Sequence, residues 1–84
     1  MRELEELLDS TDSTFITYEV LGYEYDVEVF VSDIAEAYLQ GGSSEVDSYI
    51  DEAVEEDYNQ RIGYSFDTDT LIEDIENRYG VEFN

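Results

Sequence analysis

Apolar and polar residues alternate along residues 14–31, TFITYEVLGYEYDVEVFV, and this period of two is the signature of a half-buried strand. If Leu21-Gly22 forms a two-residue turn, Val20 faces Tyr23, Tyr18 faces Tyr25 and Ile16 faces Val27 on one side of an antiparallel hairpin. The other side then carries Phe15, Thr17, Glu19, Glu24, Asp26 and Glu28. A one-residue slip would turn one strand over and lose the match, so the pattern predicts this register. Leu-Gly is not the preferred hairpin dipeptide, which leaves a slightly longer turn open.

Elsewhere the period lengthens to that of a helix. Residues 2–9 (RELEELLD) place Leu4, Leu7 and Leu8 on one stripe of about two turns, and residues 10–13 (STDS) read as a loop. Ser32 or Asp33 is expected to cap a helix running to about Gln40, with Asp33 and Glu36 at capping-box spacing and Gly41-Gly42 as its stop. Ser43 or Ser44 is expected to cap the longest helix, whose Val46, Tyr49, Ile50, Ala53 and Val54 recur at helical spacing until near Arg61. Residues 62–66 (IGYSF) read as a third short strand or a connector. Thr70 with Glu73 again has capping-box spacing, Leu71, Ile72, Ile75 and Tyr79 form the last stripe, and Gly80 suits the position after a helix. Residues 81–84 are candidates for an edge strand. The expectation is one α+β domain over residues 1–84: a β-hairpin or small antiparallel sheet packed against three to four short helices.

Composition changes what those surfaces mean. The 84 residues include 24 Asp and Glu against 3 basic residues, a formal charge of −21, with no His, Cys or Pro. The cations are Arg2, Arg61 and Arg78. Three scattered arginines cannot neutralise a run of phosphates, so direct nucleic-acid binding is excluded. Anionic membrane surfaces repel the chain, and no apolar run approaches the roughly 20 residues of a membrane-spanning helix. Residues 1–9 lack the basic and apolar regions of a secretory signal, and the absence of Cys removes disulfides and thiolate metal sites, so a cytoplasmic location is expected. Such a charge is also a signature of disorder, yet 42% of the residues are apolar, eight Tyr and four Phe among them, and they fall in clean periods.

The acids lie in rows. On the hairpin, Glu24, Asp26 and Glu28 follow one another at about 6.6 Å, and Glu19 is expected directly opposite Glu24, a like-charged pair that opposes folding. On the longest helix, Asp47, Asp51 and Glu55 recur about 6 Å apart, Glu52 and Glu56 form a parallel pair beside Asp57, and no Lys or Arg is expected to answer them. The last helix carries Glu73, Asp74 and Glu76, relieved by Arg78. Solubility requires a net charge of only about 2 to 8 for a small domain. A halophile's surface is one account of the excess, and it predicts loss of structure at low salt. Rows of carboxylates on a rigid scaffold that imitate nucleic-acid phosphates are another. Such a surface would occupy the basic cleft of a nucleic-acid-binding protein, with Tyr38, Tyr58 and Tyr64 adding contact area and Tyr18, Tyr25 and Tyr49 packed in or near the core.

In composition along its whole length the chain resembles the small acidic DNA-mimic proteins that phages and mobile elements use against host defence: anti-CRISPR, antirestriction and uracil-DNA glycosylase inhibitor proteins. Glu36-Ala37-Tyr38, Gly41 and residues 44–47 (SEVD) are similar to a segment of the ArdA antirestriction proteins. Members of this class share no common fold, so the resemblance implies a mode of inhibition. It implies a CRISPR effector or a restriction enzyme as partner, the former favoured because such effectors hold nucleic acid in basic channels and read a PAM duplex with arginines. An acidic immunity protein or antitoxin of a nuclease is the related alternative.

Catalysis finds little support. Without His, Cys or Lys the usual bases and nucleophiles are missing, and a phosphate-binding loop ending in Lys cannot be written. Residues 67–69 (DTD) begin like a calcium-binding loop, but Leu71, Ile72 and Arg78 occupy the fifth, sixth and twelfth positions. Capping of the last helix explains Asp67 and Asp69 more simply. No enzyme activity, cofactor or metal is expected.

Overall fold

A computed structural model describes residues 3–83, and the alternating segment folds in the expected register. Strand β1 (Ser13–Val20) pairs antiparallel with β2 (Tyr23–Phe30), matching Ile16 with Val27, Tyr18 with Tyr25, Glu19 with Glu24 and Val20 with Tyr23. The two-residue turn is paired as the pattern requires even though its dipeptide is unusual. Leu21 (φ 52°) and Gly22 (φ 84°) both sit at positive φ, the backbone whose twist matches a tight hairpin. Gly22 adopts it freely, whereas Leu21, 90% exposed, carries side-chain strain with no packing in return.

Three α-helices and a 3-10 helix make up the rest of the fold, and two of the α-helices pack directly against β2. The 3-10 helix (Leu4–Asp9) explains a departure from the expected stripe: at three residues per turn Leu4 and Leu7 align and are buried, while Leu8 rotates off the stripe and is exposed. Arg2, assigned to the same helix, lies outside the described residues. Helix α1 (Val31–Gly41) follows β2 directly, with Phe30 as N-cap and no side-chain cap bond. The expected Ser32 or Asp33 cap and the Asp33–Glu36 capping box do not form, because the chain is already helical when it reaches them. Gly42, at φ 73°, ends α1 and starts α2 (Ser43–Tyr58), so neither Ser43 nor Ser44 caps the second helix. Helix α2 stops at Tyr58, short of Arg61, because Asn59 takes the left-handed conformation.

Residues 62–66 are a connector with one isolated bridge, in which Glu19 and Ser65 exchange both backbone hydrogen bonds (3.4 and 3.2 Å). Helix α3 (Thr68–Tyr79) is capped by Asp67, whose carboxylate accepts from the Asp69 and Thr70 amides, so the Thr70–Glu73 box is replaced by the acid three residues earlier. Residues 81–83 form no strand beyond a single bridge residue, Val81; Val81 and Phe83 enter the core, and Asn84 lies outside the described residues.

The core combines Ile16, Tyr18, Val20, Val27 and Val29 of the sheet with Val31, Ile34 and Ala35 of α1, Val46, Ile50 and Val54 of α2, and Leu71, Ile72 and Ile75 of α3. Each fully buried Val or Ile contributes about 1.5–3 kcal/mol, enough together to hold an acidic chain folded. Helix α2 runs along β2 toward the hairpin turn: its Tyr49 hydroxyl meets the Phe30 amide (3.2 Å) and its last residue, Tyr58, packs edge-on against Tyr25 (5.3 Å). Tyr23 lies past the end of that helix and is 70% exposed, although the register places it on the core side.

Candidate functional site

The two acidic rows of α2 meet different surroundings. On one side the Thr68 hydroxyl donates to Asp47 and the Tyr64 hydroxyl to Asp51, while Arg61 reaches Glu55 at 3.7 Å. This row is therefore answered, against the expectation that no cation would meet it, although Arg61 remains 93% exposed and such a pair is worth little. Tyr64 is positioned by its neighbour Ser65, which is bonded to Glu19, and its ring packs edge-on against Tyr18 at 5.9 Å. Tyr18, fully buried, sends its own hydroxyl out to Asp57 at 2.8 Å.

The hairpin repeats this chemistry. Thr17 donates to Asp26 directly across the ladder (2.6 Å), and Ser13 donates to Glu28 on the diagonal (2.7 Å). Glu19 and Glu24 stand opposite each other as expected, and no hydroxyl of the described residues answers their side chains. Further bonds join Tyr49 to Asp33 (3.3 Å), Thr70 to Asp67 (2.8 Å) and Tyr79 to Asp12 (3.0 Å).

Hydroxyls thus do in this protein what lysines and arginines do in most. A hydroxyl donor fixes a carboxylate and satisfies one of its lone pairs but leaves the full negative charge in place. The tyrosines bear the electrostatic consequence. Burial, reinforced by the bond to Asp57, pushes the Tyr18 phenol up to about 12. Tyr64 is raised by burial and then by Asp51, with Asp47 and Glu55 adding to it. Tyr49 and Tyr79 are raised by burial first, with Asp33 and Asp12 contributing, and hydrogen bonds from Thr70 lower Asp67. A phenol is protonated at physiological pH in any case, and these shifts extend its donor state to more alkaline pH.

On the other side of α2, Glu52 and Glu56 have no hydrogen-bonded or ionic partner among the described residues, and Asp57 is held by Tyr18. Glu52 and Glu56 project, with Asp57, over an open groove of about 410 Å³ between α2 and β2. Glu28 and Asp33 complete its rim, and Val27, Phe30, Tyr49 and Ala53 supply its apolar lining. A second groove, about 350 Å³ between α1 and α2, shares Asp33, Tyr49 and Glu52 with the first and adds Glu36 and Glu45. The two form one acidic band. Of the acids the sequence reading assigns to the hairpin and helix rows, Glu28, Glu52, Glu56 and Asp57 come together here, joined by Asp33, Glu36 and Glu45, which it did not name as contacts. The signal was present: a Gly-Gly connection makes α1 and α2 neighbours, and Glu36 and Glu45 are then placed on either side of the seam.

The remaining expected acids lie elsewhere. None of Glu73, Asp74 and Glu76 lines either groove. Asp74 pairs with Arg78 at 3.4 Å, and Glu76 turns in to accept from the Phe83 amide at 3.0 Å. The expected contact tyrosines all have partners within the fold. Tyr38 donates to the Phe83 carbonyl (2.9 Å), Tyr58 packs on Tyr25 and Tyr64 is bound to Asp51, so all three are half-buried and structural. The exposed aromatics are Phe15 (67%) and Tyr23, beside the acidic face and tip of the hairpin, and Phe30 (46%), in the lining of the first groove.

Among the described residues no three carboxylates gather as a metal site, and no helix is long and apolar enough to cross a membrane. A scan against protein-family models, a search of curated proteins and a search of solved structures each find no match to this chain.

Proposed function

We propose that the protein is a nucleic-acid mimic: a non-enzymatic inhibitor that occupies the basic DNA- or RNA-binding cleft of a host defence nuclease. The favoured partner is a CRISPR effector whose PAM site or nucleic-acid channel it blocks, and a restriction enzyme is the alternative of the same chemistry. One observation carries the reading. Eight of the 24 carboxylates are held by side-chain hydroxyls while only two ion pairs form among the described residues, so these eight are ordered without being neutralised. Fixed charges present a pattern to a partner, whereas freely rotating ones present only an average field. The molecule is 40 Å long and 21 Å across, a length equal to roughly 12 base-pair steps at about 3.4 Å each. Strand and helix rows repeat at about 6–7 Å, close to two such steps.

Binding of this kind is fast and salt-sensitive, because exposed charges steer encounter and are screened as ionic strength rises. The test is a cleavage assay with purified CRISPR effectors and restriction nucleases, adding the protein before or after the nucleic acid. Inhibition that depends on the order of addition supports the reading. Equal affinity for a nuclease whose nucleic-acid site is already filled overturns it.

A further inference from the structure

We propose that the outer edge of β2 is a strand-addition site for an extended, basic segment of a partner protein. The hydrogen-bond phase of the hairpin fixes which groups face outward. Glu19 spends its backbone N–H and C=O on Ser65, away from β2. In an antiparallel ladder the residue opposite such an outward-facing position also points away from its partner strand. Glu24 stands opposite Glu19, so its amide and carbonyl face outward, and with a period of two so do those of Asp26 and Glu28. The Phe30 amide obeys the same phase: it faces outward and is taken by the Tyr49 hydroxyl. Among the described residues, no backbone hydrogen bond from another element reaches Glu24, Asp26 or Glu28. The sheet has two strands; the connector bridges the β1 edge at Glu19, whereas the β2 edge carries no such bridge along Glu24, Asp26 and Glu28 among the described residues.

Charge decides the occupant. A strand laid against this edge sets its alternate side chains about 5 Å from Glu24, Asp26 and Glu28 on the solvent face, and three carboxylates in register select Lys or Arg there. Its other side chains turn into the β2–α2 groove, over Val27 and Ala53 and within reach of Glu52 and Glu56. The fitting sequence alternates basic with apolar or small residues. A second copy of this chain is the wrong occupant, since β2 against β2 would align acid with acid, the device by which natural edges resist self-pairing. The site rests on the proposed reading of a basic partner and specifies how part of that partner is held.

The probe is a synthetic nine-residue peptide alternating Lys and Val, added to the full chain labelled for amide hydrogen exchange, with a Glu-Val peptide as control. Exchange at Glu24, Asp26 and Glu28 should slow at least tenfold with the basic peptide alone. Asp26→Pro, tolerable because that N–H lies outside the ladder, should weaken peptide binding at least tenfold more than Asp26→Ala, which removes the same charge but keeps the amide. If Asp26→Pro does not fold, the exchange readout in the unaltered chain decides. Peptide binding that leaves those amides unprotected, protection that grows with protein concentration alone, or no binding at low salt each overturns the proposal. Competition between the protein and nucleic acid is measured separately, so loss of the strand site and loss of the inhibitory reading give different results.

Discussion

The two sides of helix α2 carry similar numbers of acids and treat them differently. Asp47 and Asp51 are tied to Thr68 and Tyr64, and Asp57, near the end of the helix, to Tyr18. Glu52 and Glu56 rim an open groove and have no hydrogen-bonded or ionic partner among the described residues. The difference separates two uses of the same residue type. Tied carboxylates link α2 to the sheet and to α3 while retaining their charge, so they serve stability and field together. The free pair opposes folding by mutual repulsion, a few tenths of a kcal/mol at i, i+4, and no hydrogen bond or ion pair among the described residues offsets it.

Charge reversal breaks the comparison most strongly. Glu52→Lys with Glu56→Lys should lower affinity for the nuclease at least a hundredfold, given coupling energies of about 1.5–7 kcal/mol for close interfacial charge pairs, with thermal stability unchanged or slightly raised. Asp51→Lys with Glu55→Lys should also abolish inhibition, but here stability falls because the Tyr64 bond is lost. Calorimetry beside the inhibition assay separates the two, and unfolding of the first variant would show that its row is structural as well.

Removing donors instead of acids tests the tied side. Tyr18→Phe should cost about 1–2 kcal/mol, since a bond to a charged acceptor is lost at a buried ring, and Tyr64→Phe about 1 kcal/mol because its site is half-exposed. Both variants keep the net charge, so any loss of inhibition reports carboxylate positioning alone. Alkaline titration gives the same information without mutation. The Tyr18 phenol, raised to about 12 in the fold from an ordinary value near 10, stabilises the protein fully below pH 10 and loses that contribution as pH rises through about 12. Absorbance of phenolate and circular dichroism should therefore change together between these values. Tyr18 ionising near pH 10 without loss of structure would contradict its burial and, with it, its bond to Asp57.

The smallest effects lie at the hairpin tip. Leu21→Asn should stabilise by about 0.5–1 kcal/mol, because Asn tolerates the left-handed backbone that Leu21 is forced into. Glu24→Gln should stabilise by a few tenths of a kcal/mol by relieving Glu19. Urea denaturation checks both, and a destabilised Leu21→Asn would mean that the exposed leucine is held by a contact the fold does not show.

What could be read in advance follows from the range of each interaction. The hairpin register was legible because alternation on both strands admits one match, and the stripes of α2 and α3 because their apolar spacing is local. Helix starts were misread where a neighbour supplied the boundary: Phe30 leads straight from β2 into α1, and Gly42 serves two helices at once. Asp33 looks like a cap in the sequence and is instead a groove residue held by Tyr49. The pairing of Thr17 with Asp26 follows from the hairpin register and that of Thr70 with Asp67 is local, but the long-range hydroxyl partners of the acids were not legible. Tyr18 and Asp57 are 39 positions apart, Tyr79 and Asp12 are 67 apart, and nothing local marks them as pairs. The rows were visible in the sequence, but which of them is tied down depends on tertiary contacts.

The most direct test of a fixed, unneutralised acidic surface that replaces nucleic acid is a competition titration. A nuclease inhibited by the protein is loaded with increasing amounts of its own DNA or RNA, and binding of the protein is measured at low and at physiological salt. The account predicts mutually exclusive binding, with affinity falling steeply as salt rises. Simultaneous binding of protein and nucleic acid, unchanged by either, would contradict it.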